Sequence, residues 1–455
     1  MSQDPPAAPA PAAPSGDPVG YLFDLERFGI KLGLDNIRTL VEALDHPDRC
    51  FSSILVAGTN GKGSVAAMVE RGLRAAGYAT GLYTSPHLVD LSERFVVGGH
   101  AVDNAALAAE AACIREAIEA LRRSGRLDRP PTFFEATTAL ALSLFRRRRV
   151  EVAVLEVGMG GRFDATNVVT PVAVAVPSID LDHQRHLGST LAAIAFEKAG
   201  VIKPETVVVT GETKPEALGV LRAAARERRA RHVDATAEVT IRCRLRDGAT
   251  RVDTIATGHG RYGPLTLALN GLHQVRNAAV AVRLLEELAS AGISVPRAAV
   301  ERALADVRWP GRLQLVEAEP DRRVLLDPAH NVAAAAALGD YVTAVFPAGL
   351  PFVFGALEDK DVAGMLGAVG RAATRIVCAP IRSRRACSLK ELVAMARAAR
   401  PDLPITAAES PAAALAAAWN AHPLAVVSGS AYLVGEVLQE IGNGRRSPES
   451  TAASG

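Results

Sequence analysis

Nine residues, Val56-Ala57-Gly58-Thr59-Asn60-Gly61-Lys62-Gly63-Ser64, constrain this chain more than any other stretch. The apolar run 54–56 leads into them, and a helix-like run follows from 65. Strand, glycine-rich turn, lysine, hydroxyl and helix together form the layout of a phosphate cradle. Small residues let successive backbone N–H groups point inward at a polyphosphate, and the helix N-terminus adds a favourable dipole. Lys62 is placed to reach the outer phosphates, and the Ser64 hydroxyl to hold a magnesium ion. The common form of this loop is G-x-x-x-x-G-K-[ST]. Here the first glycine is Gly58, four residues before Lys62 rather than six, and Gly63 separates the lysine from the hydroxyl. A glycine turn alone also ends many buried strands; the added Lys and Ser at the helix start argue for a nucleoside triphosphate.

The rest of the chain extends the same pattern. Candidate strands at 54–56, 80–83, 152–156, 172–176 and 207–210 alternate with candidate helices at 65–76, 105–123, 134–146, 190–199 and 215–227. Such alternation predicts an α/β fold with a mainly parallel sheet covered on both faces. Residues 237–269 change to short alternating runs with Gly turns, an antiparallel patch, with helices expected at 275–288 and 296–305. Val307-Arg308-Trp309-Pro310-Gly311-Arg312 reads as a linker. Strands at 323–326, 352–354, 375–378 and 425–428 then outline a second, smaller α/β domain. The expected division is a leader at 1–18, an N-terminal domain at 19–306, a linker at 307–314, a C-terminal domain at 315–441 and a tail at 442–455; leader and tail are expected to be disordered.

Composition narrows the function classes. A net charge of +2 over 455 residues gives no bulk field for nucleic acid. The basic run 146–149 follows an apolar helical stretch and reads as a solvated helix end. Five scattered cysteines without CxxC spacing predict free thiols and a cytoplasmic protein. No apolar run approaches a membrane span. The sequence carries no oligomer signal, and a monomer is expected by analogy with similar proteins.

Ligands on open α/β sheets bind beyond the carboxyl ends of the strands, so polar residues there are site candidates. Glu156 ends a strand and is placed to hold magnesium, or equally to cap a turn. Asp182-His183 follows the strand 172–176 on the same predicted edge. Lys198, in Glu197-Lys198-Ala199-Gly200, closes a helix, where a lysine favours the dipole with no further role.

Taken in order, the motifs resemble a known family. The phosphate loop is followed by Tyr83-Thr84-Ser85-Pro86-His87-Leu88, then Glu156-Val157-Gly158-Met159-Gly160-Gly161-Arg162-Phe163-Asp164-Ala165-Thr166-Asn167. Asp182-His183 and Phe196-Glu197-Lys198-Ala199-Gly200 come next, then His273-Gln274 with Asn277, and Pro310-Gly311-Arg312. Asp327-Pro328-Ala329-His330-Asn331, Asp359-Lys360-Asp361 and Ser428-Gly429-Ser430-Ala431-Tyr432 complete the set. The ordered set resembles the bacterial dihydrofolate synthase and folylpolyglutamate synthase family within the Mur ligase superfamily, over nearly everything but the tails.

The resemblance implies a Mur-ligase-like fold and an ATP-dependent ligase that joins L-glutamate to dihydropteroate and reduced folates through an acyl phosphate. It implies ATP contacts from Gly58, Thr59, Asn60, Gly61, Lys62, Gly63, Ser64, Asn277, Arg312, Asp327 and His330. Two Mg²⁺ ions would be held by Ser64, Glu156, His183 and a carbamylated Lys198, with Lys62, His183 and Lys198 catalytic. Leu34, Asp35, Thr84, Ser85, Pro86 and His87 match the folate-binding regions, the first two within 31–37. Phe134-Glu135 with Thr138 also matches, without an implied role. His330, Ser428 and Ser430 are candidates for the incoming glutamate; the two serines can equally cap the last helix. One departure stands out: the family has glycine where this chain has Pro328 and proline where it has Val332. Two other readings remain open, a Mur-type ligase with a cell-wall or polymer acceptor, and a nucleotide-hydrolysing regulator.

Overall fold

The computed structural model describes residues 16–29, 33–237 and 239–444. The first sheet has eight strands: β1 (Ser52–Val56), β2 (Thr80–Tyr83), β3 (Phe95–Val97), β4 (His100–Ala101), β5 (Val152–Glu156), β6 (Pro171–Val176), β7 (Val207–Thr210) and β8 (Arg231–Asp234). Their order is β4-β3-β2-β5-β1-β6-β7-β8, parallel except at the β2-β3-β4 edge. Side chains alternate between two cores, as the strand period of two requires. Ile54, Val56, Val152 and Val154 face one core; Leu55, Ala153 and Leu155 face the other. Burial on both faces explains why these strands read as near-continuous apolar runs.

The patch at 237–269 is antiparallel, as expected: β9 (Thr240–Arg246), β10 (Ala249–Ala256), β11 (Arg261–Tyr262) and β12 (Leu265–Thr266). The C-terminal sheet comprises β13 (Gln314–Glu319), β14 (Arg322–Leu326), β15 (Leu350–Phe354), β16 (Ala373–Cys378), β17 (Ile405–Ala407) and β18 (Leu424–Ser428), ordered β13-β14-β18-β15-β16-β17. Only the β13–β14 pair is antiparallel.

Several boundaries differ from expectation. The helix after the phosphate loop is Lys62–Ala75, three residues earlier at its start, because Gly61 takes a left-handed φ of 85° and serves as its N-cap. The leader is shorter than expected: Asp17 accepts from the Val19 and Gly20 N–H groups and caps a helix at Pro18–Asp24. At the other end the last helix, Ala431–Gly444, continues past 441. The remaining leader and tail positions, and Lys31 and Leu32 of the 31–37 motif, lie outside the described residues. Among the described residues no helix is long and apolar enough to cross a membrane.

One buried ion cluster ties three elements together. Arg283, on the helix Leu272–Glu287, donates to Glu286 at 2.5 Å and Glu287 at 2.7 Å. Glu286 also accepts from Thr257 and Tyr262 of the antiparallel patch, and Glu287 pairs with Arg231 of β8. Removing one partner strands buried charge, at a cost of about 3–5 kcal/mol. Arg283→Met is expected to lower unfolding stability by about that amount in urea titrations, whereas Arg322→Met, whose half-buried side chain pairs with Glu319 at the surface, should change it by under ~1 kcal/mol.

Candidate active site

The carboxyl ends of β1, β5 and β6 lie side by side, with β2 beyond β5 and β7 beyond β6, and the loops after them build the site. After β1 the phosphate loop is held by the loop after β6. Thr59 N–H donates to Ser178 O at 2.8 Å, Asn60 N–H to Ser178 Oγ at 3.2 Å, and Asp180 N–H to Thr59 Oγ1 at 2.9 Å. Lys62 Nζ folds back onto Thr59 O at 3.1 Å. The family-type insertion Gly63 has a packing reason: a Cβ there would strike the Trp309 indole of the linker. Ser64 Oγ is buried and accepts from Gln274 Nε2 at 3.2 Å; Asn277 Nδ2 donates to Gln274 Oε1 at 2.8 Å.

Glu156 ends β5 and is 5% exposed; its Oε2 accepts the Ser85 N–H at 3.1 Å. Burial pushes its pKa up, against the pull of Lys62, Ser85 N–H and Arg312. Lys198 is 4% exposed and donates to Gly58 O at 2.8 Å. Burial, reinforced by Lys62, lowers its ammonium to about 7. Burial likewise lowers His183 and His330 to about 4, so both imidazoles are neutral at pH 7.

Asp182 joins the two sheets. Its carboxylate takes Lys360 Nζ at 2.5 Å and Asn331 Nδ2 at 3.3 Å from the C-terminal lobe, with His330 Nε2 at 3.6 Å. Burial alone would raise its pKa, but His183, His330 and Lys360 hold it below the usual carboxylate range. Asn331 also donates to Asn60 Oδ1 at 2.9 Å. At the Pro328 departure, Pro328 contributes its carbonyl, 3.0 Å from His330 Nδ1. Val332 occupies the first position of the helix Val332–Val345, where the N–H makes no intrahelical bond, so valine and proline serve equally.

Three cavities meet at Ser85, Pro86 and Arg312. The first, about 330 Å³, is lined by Gly58 to Ser64 together with Glu156, His183, Lys198, Asn277, Arg312, Asp327 and His330. The residues singled out for nucleotide and metal therefore converge, although the sequence scatters them over some 270 positions. A second, about 340 Å³, lies among Gly33, Thr132, Phe134, Asp164, Ser430 and Tyr432. The third, about 1040 Å³, runs along the helix Lys62–Ala75 under the linker.

Other expectations shift. Leu34 is 8% exposed within the core and Asp35 is at the surface; neither lines a cavity, whereas their neighbour Gly33 does. His87 turns away to accept from Arg94 Nε at 2.9 Å, and Thr84 faces the third cavity. Ser428 is buried at the end of β18, outside all three cavities. Ser430 lines the second and accepts the Tyr432 N–H at the start of the last helix, as its capping reading expects. Sequence reasoning passed over Asp164 and left Phe134 without a role. Asp164 is buried and accepts from Met159 N–H, Thr166 N–H and Thr166 Oγ1. Asp182 was paired with His183 as a ligand candidate, and its bond to Lys360 was not foreseen.

Among the described residues no three of His, Cys, Asp and Glu gather as a metal cage. Magnesium does not require one: it binds through one or two carboxylates, retained waters and substrate phosphates. The Glu156 carboxylate and Ser64 hydroxyl facing the phosphate loop fit that donor chemistry.

Family models agree with this geometry. The Mur ligase middle domain matches residues 56–285, and the Mur ligase glutamate ligase domain residues 311–431. The chain belongs to the Mur ligase family. Within it, the relatives are dihydrofolate and folylpolyglutamate synthases. A probable bifunctional folylpolyglutamate synthase/dihydropteroate synthase of Haloferax volcanii is 40% identical over 79% of this chain, which spans only 42% of that protein. The chain spans 50% of a Halobacterium salinarum counterpart. The dihydrofolate synthase/folylpolyglutamate synthase of Bacillus subtilis is 35% identical over 80% of this chain and 85% of its own. The Mycobacterium tuberculosis folylpolyglutamate synthase complexed with ADP superposes with a TM-score of 0.86 at 31% identity, covering 94% of this chain and 99% of that one. Escherichia coli FolC in complex with DHPP and ADP gives 0.82 at 31%, covering 96% and 100%. A bifunctional folylpolyglutamate synthase/dihydrofolate synthase with Mn, AMPPNP and L-glutamate bound gives 0.80 at 29%, covering 95% and 99%.

Gly61 tests the phosphate loop directly. A side chain there would be strained by the left-handed φ of 85° and would run into the Asn277 amide. Gly61→Ala is expected to weaken binding of a non-hydrolysable ATP analogue at least tenfold by calorimetry, with an unchanged circular dichroism spectrum.

Proposed function

We propose that the chain is an ATP-dependent ligase that adds L-glutamate to dihydropteroate and to glutamylated tetrahydrofolate, giving ADP and phosphate. The observation that carries this reading is the junction at Ser85, Pro86 and Arg312, where a phosphate-loop cavity and a second pocket open onto one point. Relatives whose structures hold ADP, DHPP or L-glutamate share this fold.

The first cavity takes ATP, with the backbone of Gly58 to Ser64 around the phosphates and Lys62 on the outer ones. Asn277, Asp327, His330 and Arg312 complete its walls. The second takes the pterin. Phe134 offers a ring face there, and the buried Asp164 carboxylate an acceptor for ring N–H groups. The acceptor carboxylate then attacks the γ-phosphorus; an O–P bond forms, the bond to the β-bridging oxygen breaks, and ADP leaves. The glutamate amine, having lost a proton, attacks the acyl carbon and phosphate departs with the C–O electron pair. Arg312 offsets charge at the junction, and His330 and Ser430 border the approach of glutamate. Water exclusion between the lobes protects the acyl phosphate from hydrolysis.

Ser64 and Glu156 are the residues to hold one Mg²⁺, and His183 with a carbamylated Lys198 the second. When bound, the ions supply charge neutralisation on the γ-phosphoryl oxygens. Lys198 suits carbamylation because it is buried beside Lys62 with no ion-pair partner among the described residues; the carbamate nitrogen retains one N–H for Gly58 O. We take residues 19–306 as the ATP- and folate-binding domain, 307–314 as the linker and 315–441 as the ligase domain. Five free cysteines suit the reducing cytoplasm.

ADP release is expected to require both L-glutamate and a pterin acceptor. Release only with a peptidoglycan-type acceptor, or release indifferent to any acceptor, would replace this reading. Lys62→Ala is expected to lower kcat by about a hundredfold or more, the scale of losing a transition-state charge contact. Lys198→Ala should lose activity comparably, with or without bicarbonate; a fully active Lys198→Ala enzyme contradicts the carbamate.

A further inference from the structure

The third cavity is three times the volume of either neighbour, about 1040 Å³, and neither ATP nor the pterin accounts for it. Its inner end is the junction itself, at Ser85, Pro86, Glu156 and Arg312. From there it follows the helix Lys62–Ala75 outward to Arg71 and Arg74, which lie about 14 and 18 Å beyond Lys62 along the helix axis. The linker forms one wall, and Ala431 and Leu438 of the last helix another.

Charge in this cavity is positive where it is free. Asp306 is taken by Arg71 at 2.6 Å, and Glu70 by Arg74 at 2.9 Å and Thr80 at 2.6 Å. Glu93 accepts the N–H groups of Leu88, Val89 and Asp90. Glu156 is occupied at the inner end by Ser85 N–H. Arg308 and Arg312 line the cavity without an ion-pair partner among the described residues, and His100 is exposed at the outer end. An elongated acidic molecule anchored at the junction meets compensated acids and free cations along its length.

We propose that this cavity holds the γ-linked glutamyl tail of an elongated acceptor. The inference rests on the ligase reading above and extends it to where the growing product goes. Each cycle must return the new terminal carboxylate to the same reacting point, so the added units need room beside the junction. An extended α-linked residue spans about 3.5 Å, and a γ-linked unit, with two more chain carbons, about 6 Å. A cavity reaching about 18 Å therefore passes roughly three units. Each unit presents one α-carboxylate, for which Arg308 and Arg312 are cations in the lining without an ion-pair partner among the described residues. A single incoming glutamate is too small to explain the volume.

The test compares dihydropteroate, monoglutamyl, triglutamyl and pentaglutamyl tetrahydrofolate as acceptors for the full chain and for Arg308→Glu and Ala101→Trp. Both positions are exposed and lie outside the nucleotide cavity. Expected is a fall of at least tenfold in kcat/KM for the triglutamyl and pentaglutamyl acceptors, with dihydropteroate within twofold of the unmodified protein. An equal loss on all acceptors, an unchanged dependence on tail length, or a raised KM for L-glutamate with dihydropteroate would overturn the proposal. Failure of the unmodified protein to join glutamate to dihydropteroate would instead remove the ligase reading on which it stands.

Discussion

Lys62 and Arg312 face one small cavity, and among the described residues neither is in an ion pair. Placing cations out of water without partners is costly. The fold tolerates it because the missing charge is brought by the substrate. Lys62 makes do with a carbonyl oxygen of the phosphate loop, Thr59 O. Such contacts orient a cation without neutralising it, and leave it available to an arriving triphosphate. The nearby acids are accounted for: Glu156 by Ser85 N–H, Asp182 by Lys360 and Asn331, Asp327 by Leu313 N–H. The site is therefore an anion receptor before it is anything else.

That constraint explains why the phosphate loop was legible from sequence and the second cavity was not. Gly58 to Ser64 work through backbone N–H groups within one turn, so their function is written in adjacent residues. The strands were legible for a similar reason, since burial on both faces makes Val, Ile and Leu run together. The helix start was misplaced by three residues because a left-handed glycine N-cap carries no side-chain signature. Glu156, His183 and Lys198 were brought together by an ordered resemblance rather than by spacing. The second cavity draws Gly33, Thr132, Phe134 and Asp164 from separate segments, and no local pattern records that they meet. His87 shows the same limit from the other side: it sits one residue from Pro86 at the junction, yet Arg94 holds it elsewhere.

The unusual Gly63 belongs to a longer chain of contacts. Its missing Cβ admits Trp309, and Trp309 belongs to the segment joining the two lobes. The phosphate loop and the linker are thus packed against each other at the first turn of the helix. A second tie runs through Asp182, which takes Lys360 and Asn331 from the C-terminal lobe while its own loop holds Thr59 and Asn60. A third lies away from the site, where Tyr341 OH donates to Gly248 O of the β9–β10 turn at 2.8 Å. A change in how the phosphate loop is filled therefore has physical routes to the relative placement of the lobes.

These ties also decide which lobe supplies what. The N-terminal sheet contributes the groups that must stay fixed against phosphate: loop N–H groups, Lys62, Ser64 and Glu156, all on strand ends or a helix start. The linker contributes Arg312, and the C-terminal lobe Asp327, His330 and Lys360, the last two beside Asp182. Lys360 is buried with its partner, 6% and 7% exposed, so separating the lobes would return both charges to water. Most of the attraction between them is thereby offset by desolvation on closing, and the pair contributes alignment more than affinity. A junction where three cavities meet requires that balance: strong enough to hold the lobes in register, weak enough to let them part.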